Sequence, residues 1–237
     1  MDDIKAIFVD CDGVLYDKEK LSYHDIAIEA FGKAAAELSV STKQIQQRHG
    51  ALKNQDIHGL FNVALSFCRE LNVPFRQFAH FMVQHTDYSR IPRDTEMSAL
   101  LKQRAQQLPV YITTDNTWLH LLTILNHLQG QQKNDILTAF HVMPLTVEDS
   151  LYDGWFHPKR VENQMNYLCC QTDHVPKSVL MLDDTPAVCE AAQRQGLQTI
   201  QITGPEHTKQ ILKGLIHEKS NAKSAVPLRQ ACGRASR

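Results

Sequence analysis

Three stretches of this 237-residue sequence place polar, mostly acidic residues directly after runs of apolar, strand-forming ones. Ala6-Ile7-Phe8-Val9 runs into Asp10-Cys11-Asp12-Gly13, Val110-Tyr111-Ile112 into Thr113-Thr114-Asp115-Asn116, and Val179-Leu180-Met181-Leu182 into Asp183-Asp184-Thr185. One aspartate after a strand is ordinary turn chemistry. Three such ends are more than that if the strands lie parallel in one sheet, because open α/β sheets bind ligands outside their carboxyl ends. Asp10, Asp12, Asp183 and Asp184 then crowd together with the Thr114 hydroxyl. Crowded carboxylates repel one another unless a cation sits among them. Oxygen ligands without His or Cys suit Mg2+, held with waters and a substrate phosphate.

The elements that must position these groups follow from apolar periodicity. Residues 4–9 read as a buried strand. Between 21 and 88 the spacing is helical: Ile26, Ala30, Phe31 and Ala34, then Leu60, Ala64, Leu65 and Cys68, then Phe78, Phe81 and Met82, with breaks near Gly50 and Pro74. From Ile91 onward, helices and strands alternate. Helices are expected over 96–107, from Leu119 to Leu128, over 158–170, over 186–195 with Gly196 closing it, and near 206–216. Strands are expected over 108–114, 140–145, 178–182 and 197–202. Such alternation implies right-handed crossovers and an α/β fold with a Rossmann-like parallel sheet. The helical block interrupts it after the first strand. The expected organisation is therefore a core of residues 1–17 and 91–217, an inserted all-helical cap over 18–90, and a disordered tail over 218–237.

Composition narrows the function class. Lys+Arg 25 against Asp+Glu 26 leaves a net charge of -1, which offers no electrostatic footprint for a nucleic acid polymer or an anionic membrane. No apolar run approaches the roughly 20 residues a bilayer needs. The start, Met1-Asp2-Asp3-Ile4-Lys5, is acidic and lacks an apolar leader. The six cysteines show no C-x-x-C spacing and read as reduced thiols, so a cytoplasmic protein is expected.

The motifs resemble those of a known family. Val9-Asp10-Cys11-Asp12-Gly13-Val14-Leu15-Tyr16 resembles the first motif of the haloacid-dehalogenase-like (HAD) hydrolases, and Thr114 the second. Leu180-Met181-Leu182-Asp183-Asp184 resembles the fourth, with Ala191, Ala192 and Gly196 continuing it. The resemblance spans about residues 4–205, and the helical insertion is similar to the family's C1-type cap. The Thr114–His120 spacing and Leu15-Tyr16 resemble the pyrimidine 5′-nucleotidase-like branch.

The resemblance implies a Mg2+-dependent phosphomonoester phosphatase acting on a small phosphorylated metabolite, first of all a nucleoside 5′-monophosphate. Asp10 becomes the nucleophile that forms an aspartyl-phosphate. Asp12 becomes the acid and base, with its backbone carbonyl on the metal. Thr114, Asp115 and Lys159 become the phosphate-binding residues. Asp10, Asp12 and Asp184 hold the metal, and Asp183 orients the groups around it. The third motif departs from the family, which has Lys before Pro. Here His157 precedes Pro158 and Lys159 follows, so either can supply the cation, and Lys159 is favoured because a His is charged only when protonated. A phosphomutase, a catalytically impaired phosphate-binding relative and a phosphoacceptor signalling module are the alternatives. Among other residues, His120 reads as a surface or packing histidine, and Asn116 as a helix cap or, alternatively, as an amide near the phosphate. Tyr16 reads as packing or a substrate contact, and Cys11 as a small core residue.

Overall fold

The structure, a computed structural model, describes residues 4–18, part of 29–37, 68–69, 74–130, 142–146, 151–152, 155–156, 159 and 163–224. Most of the expected cap lies outside the described residues, with its polar candidates Tyr23, His24, Arg48, His49, Lys53 and Asn54. His157 and Pro158 lie outside them too.

In chain order the strands are β1 (Ala6–Asp10), β2 (Val110–Thr113), β3 (Met143–Leu145), a short antiparallel pair β4 (Leu151–Tyr152) and β5 (Trp155–Phe156), then β6 (Val179–Asp183) and β7 (Gln198–Gln201). The helices are α1 (Phe75–His85), α2 (Thr95–Ala105), α3 (Trp118–Gln129), α4 (Gln164–Gln171), α5 (Pro186–Arg194) and α6 (Pro205–Ser224). Five strands pair in the order β3-β2-β1-β6-β7, all parallel. The fold is therefore the expected α/β one.

A parallel sheet is covered on both faces, which is why its central strands read as unbroken apolar runs. Every residue of β1 and β6 is buried. Ile7 and Val9 face one side with Val110, Ile112, Leu180 and Leu182, against Met97 and Leu101 of α2, Leu121 and Leu125 of α3 and Leu212 of α6. Ala6 and Phe8 face the other with Tyr111, Val179 and Met181, against Met165 and Leu168 of α4 and Val188 and Ala192 of α5. Phe8 is fully buried and meets Tyr111 edge-on, with centroids 5.4 Å apart. Phe8→Ala is expected to lower stability by about 3–5 kcal/mol, read as a shift in the urea midpoint. A change below about 1 kcal/mol would mean that this side of the sheet is loosely packed.

The strand order places the chemistry. The chain builds outward from β1 through β2 to β3, then crosses to β6 and β7, so the order reverses between β1 and β6, where open α/β sheets hold ligands. Asp10 is in register with Thr113, and Val9 with Leu182. The next residues, Asp10 and Asp183, thus end side by side on the two strands that flank this point.

Three local expectations are corrected. The helix expected over 158–170 begins only at Gln164, because Asn163 takes a left-handed conformation (φ 67°) just before it, and Lys159 lies in a turn. The pair β4–β5 occupies a stretch with no expected strand. The last helix continues to Ser224, so the segment expected to be a tail from 218 starts as helix. Gly196 does close α5 as expected, at φ 90°, with its N–H donated to the Gln193 carbonyl.

Candidate active site

β1 carries Asp10 on its last residue, and the chain then turns sharply through Gly13, whose φ is 89°. A Cβ at residue 13 would fall 2.3 Å from Asp184 Oδ2. Glycine is required here twice over, for the backbone conformation and for the close approach of Asp184. Together the turn and β6 bring oxygens of Asp10, Asp183 and Asp184 within 4.8 Å of one another.

Two lysines interleave with these carboxylates. Lys159 is buried, and its ammonium donates to Asp10 Oδ1, to Asp183 Oδ2 at 2.7 Å and to the Thr113 carbonyl at 3.4 Å. Its own backbone N–H donates to Asp115 Oδ1 at 3.2 Å. The Asp115 side chain, expected at the phosphate, is thus turned toward the turn that carries Lys159. Lys18 approaches from the other side, with Nζ 2.7 Å from Asp184 Oδ2. Asp183 spends its second oxygen on the Thr185 N–H at 2.9 Å. A cleft of about 1150 Å3 opens beside Asp184, lined among others by Gly13, Lys18, Arg90 and His207.

Asp12 sits in a separate polar nest. Its Oδ1 accepts from the Tyr16 hydroxyl and is 3.0 Å from His120 Nε2. Its Oδ2 accepts from Asn116 Nδ2 at 2.7 Å and from Thr114 Oγ1 at 3.2 Å. The two carboxylates of the first motif are therefore held in opposite ways. Burial pushes Asp10 well above the ordinary carboxylate range; the Lys159 ammonium pulls it down, and the charges of Asp183 and Asp12 reinforce the rise. Burial acts on Asp12 in the same sense. There the charge of His120, with hydrogen bonds from His120, Tyr16 and Asn116, outweighs it and holds the carboxyl below its usual range. Lys159 stays charged: burial opposes its charge, but Asp10, Asp183 and Asp115 outweigh burial and raise its pKa.

The raised Asp10 makes a stability prediction. A carboxyl whose pKa is higher in the fold than in the unfolded chain stabilises the fold below its unfolded value, and this is lost as pH rises through the folded value. Without divalent cations, Asp10 thus lowers stability as pH climbs from about 4. Asp10→Asn removes this slope. Its melting temperature is expected to exceed that of the wild type at about pH 8, with the gap closing toward about pH 4. A gap of equal size at both pH values would contradict the assignment.

The donor set suits a small hard cation. Asp10, Asp183 and Asp184 offer only oxygens, in a pocket narrow enough to require glycine at 13. Cys11, Asp12 and His120 also lie within 4.8 Å of one another. That trio does not fit Mg2+. Its histidine is bonded to Asp12, and burial with the charges of Asp12 and Asp10 pushes the Cys11 thiol up, away from thiolate.

Two readings of single residues are corrected. His120 is packed in the interior and not at the surface, and its Nε2 is spent on Asp12. Asn116 does not cap α3: Thr117 does, accepting the His120 N–H on Oγ1 at 3.3 Å, because the Asn116 amide is engaged by Asp12. His120 had one usable signal in the sequence, its place in the first turn of a helix that starts at the chemical edge of the sheet. Lys18 had only its nearness to the first motif, and Tyr88, which bonds His120, had none.

No family model matches the chain, and no curated protein does. Among solved structures, a mutant of CbbY from Rhodobacter sphaeroides in complex with xylulose-(1,5)-bisphosphate superposes with a TM-score of 0.53 at 15% identity, covering 85% of this chain and 87% of that one. CbbY in complex with phosphate gives 0.52 at 15% identity, with the same coverages of 85% and 87%. A haloacid-dehalogenase-like family hydrolase from Streptococcus pneumoniae overlaps 90% of this chain and 92% of its own at 18% identity, with a TM-score of 0.47. At such identities what is shared with CbbY is the fold alone, which in this chain is an α/β one, a parallel five-stranded sheet with helices around it.

Proposed function

We propose that this chain is a Mg2+-dependent phosphatase of small phosphomonoesters that works through an aspartyl-phosphate on Asp10. One observation supports this above the others: a buried lysine bridges Asp10 and Asp183 at the sheet's switch point, with Asp184 close by. Cation and carboxylates so arranged match what an incoming phosphoryl group needs, a nucleophile flanked by positive charge. The fold supports it as well, since CbbY has been crystallised with a sugar bisphosphate and with phosphate.

In this reading Asp10, Asp184 and the Asp12 backbone carbonyl hold the Mg2+. When bound, the ion neutralises charge on the phosphoryl oxygens and keeps Asp10 ionised. An Asp10 oxygen attacks phosphorus, forming the Asp–O–P bond as the ester P–O bond breaks; the departing oxygen is protonated through Asp12, whose Oδ2 takes up a proton once Thr114 turns its hydroxyl from Asp12 to the phosphoryl oxygens. Asp12 then takes a proton from water, which attacks phosphorus, frees inorganic phosphate and restores Asp10. Lys159 holds Asp10 and the phosphoryl oxygens together, Thr114 donates its hydroxyl to them, and Asp183 fixes the Lys159 ammonium. Asp115 contributes by holding the Lys159 turn. A nucleoside 5′-monophosphate is the first substrate to try; this choice rests on the Thr114–His120 spacing in the sequence. The leaving group would occupy the cleft beside Lys18 and Arg90, under a cap formed by 18–90.

The test is phosphate release from a panel of phosphomonoesters, with and without Mg2+. Release is expected only with the ion and is expected to be lost after chelation. Equal release after chelation would remove the metal from the account, and no release from any ester would remove the phosphatase.

A further inference from the structure

Behind Asp12 stands a second layer of polar groups that the mechanism above does not use. His120 is 3% exposed and is held at both ring nitrogens. Nε2 faces Asp12 Oδ1 at 3.0 Å, and Nδ1 lies 2.9 Å from the Tyr88 hydroxyl. Tyr88 is itself buried, its ring tilted against His120 with centroids 5.5 Å apart and stacked on His127 at 6.0 Å and 24°. With the hydroxyl on Nδ1, the imidazole presents Nε2 rather than a ring carbon to Asp12. Nε2 is then the nitrogen placed to donate to the Asp12 carboxylate.

Tyr88 also stands apart in the chain. Tyr16, Thr114 and Asn116, the other donors to Asp12, all come from the two strand ends beside it. Tyr88 sits in a 3-10 turn, Tyr88–Arg90, between α1 and α2. We propose that Tyr88 and His120 are positioning residues for Asp12, which fix the direction in which its carboxyl meets the leaving oxygen and tie that direction to the turn between α1 and α2. The inference rests on the phosphatase reading for its chemistry, but its geometry is independent of it.

The need for such a hold is physical. A carboxyl on a short side chain turns about two bonds, and a proton is delivered only along a hydrogen bond of correct length and direction. A displacement of about 1 Å can cost about 100-fold in rate. Tyr88→Phe keeps the ring and removes the hydroxyl. His120→Leu removes the donor, while His120→Gln keeps an amide near the Nε2 position.

The experiment compares two esters on the full chain with Mg2+. An alkyl phosphate needs its leaving oxygen protonated, whereas p-nitrophenyl phosphate leaves as a stable anion and does not. His120→Leu is expected to lower kcat for the alkyl ester by about 10–100-fold, with KM unchanged and a much smaller effect on p-nitrophenyl phosphate. Tyr88→Phe is expected to show the same pattern more weakly, and His120→Gln to recover part of the alkyl rate. Equal losses on both esters, or none, would overturn the proposal.

If the wild type hydrolyses neither ester, the phosphatase reading fails on its own, and the relay is then judged by NMR. A slowly exchanging imidazole N–H resonance is expected, absent in His120→Leu and shifted in both Tyr88→Phe and Asp12→Asn. Its absence from the wild type, or its indifference to Tyr88→Phe, would overturn the relay whatever the turnover.

Discussion

Asp10→Asn is expected to remove phosphate release by about four orders of magnitude or more while leaving the fold intact. The size of the loss follows from the role. An amide in place of the carboxylate is a far weaker nucleophile, and the neighbouring Asp183 and Asp184 are engaged by Lys159, Thr185 and Lys18. Asp12, the nearest carboxylate in sequence, has both oxygens engaged by Tyr16, His120, Asn116 and Thr114. The fold survives because burial already favours a neutral group at residue 10. An inactive protein that melts no earlier than the wild type at neutral pH, without divalent cations, is therefore the expected pairing. A protein that unfolds would point to a structural role for the charge. One that keeps a tenth of its activity would mean that Asp10 is not the attacking group.

Lys159→Met is expected to cost about 3–5 kcal/mol of stability and most of the activity. The lysine is fully engaged: its ammonium reaches Asp10, Asp183 and the Thr113 carbonyl inside a buried pocket. Taking it away leaves two buried carboxylates facing each other with no cation between them, which is the expensive way to break a buried pair. The deficit carries a pH signature. Without the lysine the Asp10 carboxyl rises further. A carboxyl raised in the fold stabilises it at low pH and loses that contribution as pH climbs, so the deficit is expected to grow once pH passes the value at which Asp10 titrates in the wild-type fold. Denaturant midpoints on either side of that value provide the check. The variant also decides between the two cations of the third motif. If His157 were the phosphate's partner, Lys159→Met would keep its activity near pH 6 and lose it as the imidazole deprotonates.

Much of this arrangement is legible in the sequence, and the parts that are not share a cause. Parallel strands buried on both faces leave unbroken apolar runs, so β1 and β6 are readable from Ile7-Phe8-Val9 and Leu180-Met181-Leu182, and the aspartates that end them are equally plain. Gly196 is readable because a helix that ends in a left-handed residue selects glycine. The short pair β4–β5 is not, since two-residue strands carry no periodicity. The start of α4 is misplaced because Asn163 does at Gln164 what Pro158 was expected to do earlier.

The site divides along the same line. Groups within a few residues of a strand end are visible: Asp10, Thr114, Asp183 and Asp184. Of the partners of Asp12, Thr114, Asn116 and His120 lie 102 to 108 residues away in the chain, and Tyr88 lies 32 residues before the His120 it bonds. A histidine on an amphipathic helix looks the same in sequence whether it faces solvent or a buried carboxylate. Only the register of β1 against β2, with Asp10 beside Thr113, places α3's first turn over Asp12.

A phosphorylated form of the protein itself gives the sharpest test of the central claim. Full-length protein with Mg2+ and a turning-over phosphomonoester would be quenched in acid within the steady state, reduced with borohydride and mapped by peptide mass spectrometry. The account expects modification at Asp10 alone, lost when the substrate is chased and matched by free phosphate. Phosphate release with Asp10 unmodified throughout, or modification at another carboxylate such as Asp184, would contradict it.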